Sequence, residues 1–381
     1  MRVVMISTDR KIFEEGSAVR ARMLEYGAIF GELHVIVLSR HEHKIRDVER
    51  LSKNVFAYPT NSSGKLAMVR DAVRIGKAII KHDFEAKGSQ TVVTSQDPFE
   101  TGWVGWRLAR RTDVPFQVQI HTDFLSPYFG RQSFMNSLRV YLASFILPRA
   151  EGVRVVSEKI QQSMIERYVR LPQRIDVVPV FVDINKIRQT PRNENLRRRY
   201  SRFRKIVLMA SRITEEKNIS LALRAFAEVV IKHPEAGLLI VGDGPECYTL
   251  ERLAQELGIR SRVVFEPWRN DVVSLMVAAD LYLLTSNYEG YGMALVEATA
   301  AGCPVVSTEV GISEKLLSPD ARVSVNDKNG LAKAVTLMLE NNERRGAILR
   351  YAKEHLPRVV SKNKEDHLQA IRRTLEQLIS H

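Results

Sequence analysis

Short apolar runs alternate with amphipathic stretches along the whole chain of 381 residues. The runs have the length and composition of buried strands, and the stretches between them have the spacing of helices. The pattern predicts strands at residues 3–7, 33–38, 55–58, 91–94, 116–120, 152–156 and 175–179, and then at 206–210, 237–241, 262–265, 281–285, 304–307 and 322–325. Strands that alternate with helices form parallel sheets covered by helices, so the pattern predicts an α/β fold.

A polar, basic stretch at residues 185–204 separates the two series of strands. A chain of 381 residues is too long for one ordinary hydrophobic core and long enough for two. We therefore predict an N-terminal domain at residues 1–188 and a C-terminal domain at 189–360. A final amphipathic helix is expected within residues 361–381, with apolar side chains at Leu368, Ile371, Leu375, Leu378 and Ile379.

One glycine-rich segment carries two glutamates eight residues apart, Glu289 and Glu297. It follows the apolar run at 281–285 and precedes a helical stretch, so it predicts a strand, a turn and a helix. Open α/β sheets bind ligands at the carboxyl ends of their strands. Gly290 and Gly292 would let the backbone approach a ligand, and the helix start favours an anion. Taken alone, the segment is more typical of a turn between a strand and a helix with two solvated acids; the two segments described next favour the functional interpretation.

Two further segments follow predicted strands, Arg212 to Lys217 and Gly242-Asp243-Gly244-Pro245-Glu246. Together with the Glu-x7-Glu segment they resemble the retaining glycosyltransferases of family 4, in the order that this family has. The resemblance covers essentially the whole chain. It implies the GT-B fold, in which two Rossmann-like, doubly wound parallel-sheet domains face a central cleft. It also implies that the last helix crosses back to the N-terminal domain.

The resemblance assigns the C-terminal candidates to a nucleotide-sugar donor. Arg212 and Lys217 would hold the diphosphate, since an arginine fork and a lysine ammonium both suit phosphate oxygens. Glu289 would bind the sugar hydroxyls and Glu297 the ribose hydroxyls. The backbone of Gly290, Tyr291, Gly292 and Met293 would cradle the donor. The alternative has Arg212 and Lys217 in surface ion pairs with Glu215 and Glu216. The turn at residues 242–245 is predicted to be structural.

The N-terminal half supplies further candidates by the same resemblance. A loop with Gly16 and Ser17 would approach the diphosphate, and His121 would contact the donor sugar as a catalytic residue beside Arg212, Lys217 and Glu289. A single histidine after a strand is more often structural, and the match to the family favours a site role. Asp97 and Asp123, each near a strand end, are the candidates for acceptor contact.

Several other functions lack their motifs. The sequence has no Gly-x-Gly-x-x-Gly after the first strand, no P-loop, no Asp-x-Asp and no cluster with metal-ligand spacing. We therefore expect a metal-independent reaction without a cofactor, with a UDP-sugar or GDP-sugar as donor. The two cysteines, Cys247 and Cys303, fit a reducing cytoplasm. Residues 1–7 are too short for a signal peptide, and no apolar stretch approaches the ~18 residues of a membrane span.

The net charge of +13 favours anionic partners, and residues 1–190 carry +9 of it. Arg70, Arg74, Lys77 and Lys81 have the spacing of one helix face, whereas Leu66, Val69, Val73 and Ile80 have the spacing of the opposite face. One interpretation is an ordinary helix with a solvated basic face. The other is a patch that docks on anionic lipid headgroups or on phosphates of the acceptor.

These observations predict a retaining glycosyltransferase that moves a sugar from a nucleoside diphosphate to a saccharide or lipid-linked acceptor. Its role would be polysaccharide synthesis for the cell envelope, in the cytoplasm or on the inner membrane face. One alternative is another nucleotide-sugar enzyme of the same fold, such as an epimerase or a sugar-phosphate synthase. The more distant alternative is a basic protein that binds nucleic acid. It is disfavoured because the basic residues lack interleaved aromatic residues.

Overall fold

The computed structural model describes residues 1–45, 48–84, 90–172, 174–191 and 194–379. The chain divides into two compact units: an N-terminal unit of Met1–Val178 and Lys364–His381, and a C-terminal unit of Pro179–Asn363. Their boundaries differ from the predicted ones at 188 and 360. The polar stretch that suggested residue 188 lies inside the second unit, because the helix at Ile184–Arg188 packs against the helix at Met293–Ala300 there.

The N-terminal unit contains an eight-stranded sheet in the order β3-β4-β2-β1-β5-β6-β7-β8. All of its neighbouring strands are parallel except the β3–β4 pair. The strands are β1 (Arg2–Ser7), β2 (Glu32–Val37), β3 (Glu49–Ser52), β4 (Val55–Pro59), β5 (Thr91–Ser95), β6 (Phe116–Ile120), β7 (Gly152–Val155) and β8 (Ile175–Val177). Seven of them were predicted within one or two residues at each end.

The exception is β3, which the apolar pattern missed. Its sequence is Glu-Arg-Leu-Ser, none of these residues is buried, and the strand pairs only with β4 at the edge of the sheet. An edge strand needs no apolar run, because most of its side chains face water. The pattern of buried residues therefore carries no signal for it.

Six helices of the N-terminal unit follow in chain order. They are α1 (Ala18–Ile29), α2 (Lys65–Phe84), α3 (Glu100–Thr112), α4 (Pro127–Gln132), α5 (Phe134–Ile146) and α6 (Glu158–Arg167). Helix α3 lies between α2 and α5 and contacts both of them. Gly76 of α2 permits the close approach to α3, because a Cβ atom at this position would lie 2.4 Å from a methyl carbon of Leu108.

The C-terminal unit contains a six-stranded parallel sheet in the order β11-β10-β9-β12-β13-β14. Its strands, all predicted from the apolar runs, are β9 (Lys205–Ala210), β10 (Ala236–Val241), β11 (Val263–Glu266), β12 (Leu281–Leu284), β13 (Val305–Thr308) and β14 (Arg322–Val323). The order runs outward from β9 in one direction and then from β12 in the other. This is the doubly wound arrangement of Rossmann-like domains, and the predicted α/β class is confirmed.

Nine helices accompany this sheet among the described residues. They are α7 (Ile184–Arg188), α8 (Glu194–Arg199), α9 (Ile219–Lys232), α10 (Cys247–Glu256), α11 (Val272–Ala278), α12 (Met293–Ala300), α13 (Ser313–Leu316), α14 (Lys328–Glu340) and α15 (Asn342–Val359). The strands β9, β10 and β12 are buried almost throughout. Such continuous apolar strands are typical of a parallel sheet with both faces covered.

The last helix, α16 (Lys364–Glu376), returns to the N-terminal unit. Ile371 and Leu375 are part of the core cluster that includes residues of β1, β2 and α1. On β6, the Nε2 of Gln117 donates hydrogen bonds of 3.1 and 3.0 Å to the carbonyl and the Oγ1 of Thr374. The core of the first sheet is therefore completed by the end of the chain.

Replacing Leu375 by alanine is expected to lower the free energy of unfolding of the N-terminal unit by about 2–5 kcal/mol, because the side chain is buried in this core. Urea unfolding followed by circular dichroism would measure the change. Arg373→Ala, on the exposed side of the same helix, is the matched control with an expected change within about 0.5 kcal/mol. Equal effects of the two substitutions would contradict the packing described here.

Candidate active site

The strongest candidate site lies at the carboxyl ends of β9 and β12, where the strand order of the second sheet reverses. Ligands of doubly wound sheets bind at this position. The turn after β9 carries Lys217, and the loop after β12 carries Glu289. The Lys217 Nζ donates to Glu289 Oε1 over 2.6 Å, and the two side chains are only 16% and 15% exposed. The structure therefore brings together two charges that the sequence proposed from separate segments.

The two loops are also joined through their backbones. The amide of Asn287 donates to the carbonyl of Glu216 over 2.8 Å. The Thr285 hydroxyl lies 2.9 and 3.0 Å from the carbonyl oxygens of Lys217 and Asn218. Asn218 has a left-handed conformation with φ of 47°, which asparagine tolerates better than most residues. These contacts fix the turn, and the turn places the Lys217 ammonium.

Ser286 is a contact that the sequence analysis missed. Its hydroxyl donates to the same Glu289 Oε1 over 2.7 Å, so this oxygen accepts from both Ser286 and Lys217. Serine is common in loops, and no motif distinguishes this one, whose contact with Glu289 three residues later depends on the conformation of the loop. The result is a carboxylate whose orientation is set by two donors on one oxygen.

Arg212 has a different environment from Lys217. Its guanidinium is 68% exposed and donates to Glu216 Oε1 over 2.9 Å. This is the surface ion pair that the alternative interpretation predicted for Arg212, whereas Lys217 pairs with Glu289 instead. Burial raises the pKa of Glu216, but hydrogen bonds and the charges of Arg212 and Lys217 outweigh it, so that the pKa lies below its usual value. Both members of the pair are therefore charged at neutral pH.

Glu297 lies on α12, partly buried. Within the described parts of the chain, its carboxylate accepts no hydrogen bond and forms no ion pair. Burial raises the pKa of this carboxyl group. A carboxylate that is partly desolvated and has no partner in the protein is suited to accept hydrogen bonds from a ligand.

The start of α12 has the shape that the glycines suggested. Gly292 precedes the helix with φ of 92°, and no described carbonyl accepts from the amides of Gly292 and Met293. The Tyr291 side chain is buried, and its hydroxyl donates to the carbonyl of Val359, so only its backbone is available to a ligand. A Cβ atom at Gly311 would lie 2.3 Å from the Tyr291 carbonyl oxygen. The loop at Tyr291 is therefore held by its hydrogen bond to Val359 and by its close packing against Gly311.

The turn at residues 242–245 packs closely against the backbone on either side of Arg212. A Cβ atom at Gly242 would lie 1.8 Å from the carbonyl oxygen of Ser211, and one at Gly244 would lie 2.1 Å from that of Ile213. The Asp243 carboxylate accepts from the backbone amide of Trp268 over 2.8 Å. These contacts give the turn a structural role, as the sequence analysis expected.

In the N-terminal unit, Gly16 and Ser17 precede α1. Gly16 has φ of 77°, a conformation that glycine adopts without strain. The Ser17 hydroxyl caps the helix by accepting from the amide of Arg20 over 3.1 Å, and it donates to the carbonyl of Lys11. The side chain is therefore occupied, and any ligand at this loop would meet the backbone of the first turn.

His121 follows β6 and continues its polar face. Gln117, Gln119 and His121 alternate with Phe116, Val118 and Ile120, so the three polar side chains share one face of the strand. The His121 Nε2 lies 3.3 Å from Gln119 Oε1. His121 itself is exposed, but desolvation by the dense protein around the ring and the charges of Arg154 and Arg22 lower its pKa. The ring is therefore neutral at pH 7.

Asp97 and Asp123 both stabilise local turns. Asp97 Oδ1 accepts from the amides of Phe99 and Thr101 over 2.7 and 3.3 Å and so stabilises the turn that leads into α3. Asp123 is buried, and its carboxylate accepts from the amides of Leu125 and Ser126. Burial raises the pKa of each carboxyl group. Both side chains thus have local hydrogen bonds that the acceptor hypothesis did not include.

The basic face of α2 is exposed at Arg70, Arg74, Lys77 and Lys81. Val73 and Ile80 are buried as predicted, but Leu66 is 90% exposed, so its assignment to the packed face was wrong. Leu66 lies in the first turn of α2, beside an open groove between α2 and α3. The groove has a volume of about 180 Å³ and is lined by Leu66, Val69, Arg70, Val73, Trp103, Arg107 and Arg111.

An apolar stripe on α5 was also missed. Phe134, Met135, Leu138 and Tyr141 are all exposed, at the spacing of one helix face, and Phe134 is 84% exposed. The inward side of the same helix packs Phe145 against Trp103 and Trp106 of α3. Over the described segments, no helix is long and apolar enough to cross a membrane.

The sequence matches two family models, one in each half of the chain. Residues 31–186 match the family described as Glycosyltransferase Family 4, and residues 192–355 match the family described as Glycosyl transferases group 1. The chain belongs to glycosyltransferase family 4. The resemblance inferred from the three motifs is confirmed, and the second match contains Arg212, Lys217, Glu289 and Glu297.

Curated relatives match over parts of their length. The chain is 29% identical to the alpha-monoglucosyldiacylglycerol synthase of Streptococcus pneumoniae, over 57% of this chain and 51% of that one. It is 36% identical to the N-acetyl-alpha-D-glucosaminyl L-malate synthase of Bacillus anthracis, over 38% of each chain. The matched region thus spans about half or less of these relatives.

Solved structures match over the full chain. The crystal structure of Anabaena HepE in complex with UDP and glucose gives a TM-score of 0.75 at 20% identity, covering 99% of this chain and 100% of that one. Sucrose-phosphate synthase from Thermosynechococcus elongatus gives 0.76 at 19% identity, covering 100% of both chains. This likeness shows the fold, and the predicted GT-B class is confirmed for this family 4 chain.

Glu297→Gln is expected to raise the free energy of unfolding at pH 7. Because burial raises the pKa of Glu297 in the folded state, the folded state binds more protons than the unfolded one between the two pKa values. Stability therefore falls as pH rises from the usual carboxyl pKa of about 4.3 through the raised one, and the glutamine variant escapes this loss.

Urea unfolding at pH 7 and at about pH 4, where both states are largely protonated, would measure the difference. The difference in the free energy of unfolding between Glu297→Gln and the parent should be present at pH 7 and smaller at about pH 4. Glu354→Gln, on the exposed surface of α15, is the control and should show neither effect. A glutamine variant that is less stable than the parent at pH 7 would show that the protein itself stabilises the Glu297 carboxylate.

Proposed function

We propose that the chain is a retaining, metal-independent glycosyltransferase that moves a sugar from a UDP-sugar or GDP-sugar to an acceptor hydroxyl. The observation that carries the proposal is the Lys217–Glu289 pair at the point where the strand order of the second sheet reverses. Beside it are an exposed arginine, Arg212, and Glu297, a carboxylate that has no partner among the described residues. A diphosphate and two pairs of vicinal hydroxyls match these groups in charge and hydrogen bonding.

The lysine can serve the carboxylate and the donor at once. An ammonium group has three N–H donors, and one of them bonds to Glu289 Oε1 over 2.6 Å. The others remain for phosphate oxygens, while the second oxygen of Glu289 can accept from sugar hydroxyls. As the bond between the sugar and the phosphate breaks, negative charge grows on the phosphate. Lys217 and Arg212 would stabilise that charge in place of a metal ion.

Transfer with retention is proposed from membership of the family. In this mechanism, the acceptor oxygen forms a bond to the anomeric carbon on the face from which the phosphate departs. The acceptor's hydroxyl proton passes to the leaving phosphate oxygen, so no protein nucleophile is required. Glu297 would bind the ribose hydroxyls. The amides of Gly292 and Met293, to which no described carbonyl is bonded, would bind the sugar and the phosphate at the start of α12. The backbone after Gly16 and the neutral His121 ring would contact phosphate and sugar, respectively.

For the acceptor, we propose a saccharide or a lipid-linked glycan of the cell envelope. The Streptococcus relative is an alpha-monoglucosyldiacylglycerol synthase, whose name refers to a diacylglycerol lipid. In this chain, the exposed basic face of α2 and the exposed apolar stripe of α5 flank α3. Basic and apolar side chains together are the composition of surfaces that lie on anionic membranes. We therefore propose that α2, α3 and α5 dock on an anionic lipid surface, and that the protein works at the cytoplasmic face of the inner membrane.

Replacing Lys217 or Glu289 by alanine is expected to lower kcat/KM for sugar transfer by at least about a hundredfold. The loss of one positioned contact to the developing charge typically costs about 3–4 kcal/mol. Titration calorimetry with UDP and with GDP would identify the base and report donor binding separately. Lys232→Ala and Glu354→Ala, both at exposed positions of the same unit, are the matched controls. Parental transfer rates in both site variants would refute the assignment.

Replacing Arg70, Arg74, Lys77 and Lys81 together by alanine is expected to weaken binding to vesicles containing phosphatidylglycerol by roughly a hundredfold or more, since each charge contributes about 1 kcal/mol. Sedimentation with vesicles of phosphatidylcholine, with and without phosphatidylglycerol, would measure it. Added salt should weaken the parent more than the variant.

The matched control removes four exposed cations from the other unit, Arg350, Lys353, Arg358 and Lys362. It loses the same charge and should bind nearly as well as the parent. A second variant, Phe134→Ser with Tyr141→Ser, should weaken binding without changing the salt dependence. Equal effects of the two charge removals would show attraction by net charge alone, and no docking surface.

A further inference from the structure

Arg154 is a buried arginine that the proposed reaction does not use. It lies on β7, is 4% exposed, and stands in register opposite Gln119 of β6. In the parts of the chain that the structure describes, no carboxylate forms an ion pair with it. Its side chain bonds to Gln119 Oε1 and to Tyr26 of α1. A buried charge without a counter-charge is costly, so its presence calls for a function.

The contact with Arg154 fixes the orientation of the Gln119 amide. A guanidinium group only donates, so the Gln119 atom that faces it must be the carbonyl oxygen. The other end of the amide agrees, since Nε2 donates to Thr94 Oγ1 over 2.9 Å. Arg154 and Thr94 thus leave the amide only one orientation.

The amide orientation in turn determines which nitrogen of His121 carries the proton. His121 Nε2 lies 3.3 Å from the same Gln119 Oε1. An oxygen that accepts from Arg154 can only accept from the histidine as well, so Nε2 must be the protonated nitrogen. In a neutral ring, Nδ1 then keeps its lone pair.

We infer that Arg154 is a positioning residue, which acts through Gln119 to hold His121 in the Nε2-protonated tautomer and so keeps Nδ1 as an acceptor for a substrate hydroxyl. The inference rests on the proposed function, because only a substrate with hydroxyl groups makes an acceptor at Nδ1 useful. The groups that face the ring support it: Arg154 from β7 and Arg22 from α1 are both cations, and both oppose a second proton on the ring.

Nitrogen-15 NMR of protein labelled at its nine histidines tests the inference without any transfer assay. His121→Asn identifies the signals of His121. In the parent at pH 7, Nε2 should be protonated and Nδ1 bare. Arg154→Met should give a mixture of both tautomers, and Arg154→Lys, which keeps a donor, should restore the single one. A parent ring protonated at Nδ1, or an unchanged tautomer in Arg154→Met, would overturn the inference.

A second pair of variants covers the case in which Arg154→Met does not fold. Gln119→Met removes the carbonyl that faces His121, whereas Gln117→Met removes an equally buried amide on the same face that bonds to Thr374. Only the first should change the tautomer of His121. In transfer assays, Gln119→Met should lower kcat by up to about a hundredfold. If the parent transfers no sugar but shows the expected tautomer, the proposed function fails and the role of Arg154 in fixing the tautomer stands.

Discussion

The contact between Lys217 and Glu289 depends on the adjacency of two strands that are far apart in sequence. These residues are separated by 72 positions and meet because β9 and β12 are neighbours in the sheet. Both side chains are largely buried, so each charge needs the other: removing one partner of a buried pair leaves an uncompensated charge. The hydrogen bonds from Asn287 and Thr285 to the carbonyl oxygens of Glu216 and Lys217 hold the two loops together as well. The site therefore has its shape before any ligand arrives, which is the condition for electrostatic stabilisation of a transition state.

The sequence predicted the strands of both sheets because buried parallel strands require continuous apolar runs. It failed where burial does not govern the sequence. β3 is a partly exposed edge strand, and Leu66 has helical spacing at a point where no helix covers it. The domain boundary was placed by composition, yet a polar stretch is equally compatible with the surface of the second unit, which is where α7 packs.

Among the candidate site residues, motifs predicted Lys217 and Glu289 individually, without their ion pair, and could not separate ligands from caps. Ser17 and Asp97 each accept from amides at the start of a helix. Serine and aspartate are the residues that cap helices best, and strand ends are where both caps and ligands occur. Neither Ser286 nor Arg154 belongs to a motif. The contact of Ser286 depends on the conformation of its loop, and that of Arg154 on the register between β6 and β7, neither of which a single sequence displays. The alternation of glutamines with apolar residues before His121 was the one available signal.

That polar face of β6 links two parts of the N-terminal unit. Gln117 binds the last helix, and two residues further on Gln119 contacts His121. A strand in the middle of a sheet is among the most rigid supports that a fold offers, so a side chain at its end is held closely. Every amide along this face has a partner, which is what allows polar residues to remain in a buried position. Under the proposed function, the cost of burying them is offset by the single orientation that they give to the histidine.

The two units differ in the charge that they would present to a substrate. Among the C-terminal candidates, the cations Arg212 and Lys217 suit a diphosphate whose charge increases during the reaction. The carboxyl groups of Glu289 and Glu297 suit hydroxyl groups instead. The His121 ring is neutral, because desolvation and the charges of Arg154 and Arg22 lower its pKa. A neutral acceptor binds a hydroxyl without attracting phosphate, whereas an imidazolium would compete for it. The cations around His121 therefore add to desolvation in keeping the ring neutral, and so preserve a hydrogen-bond acceptor for a hydroxyl group.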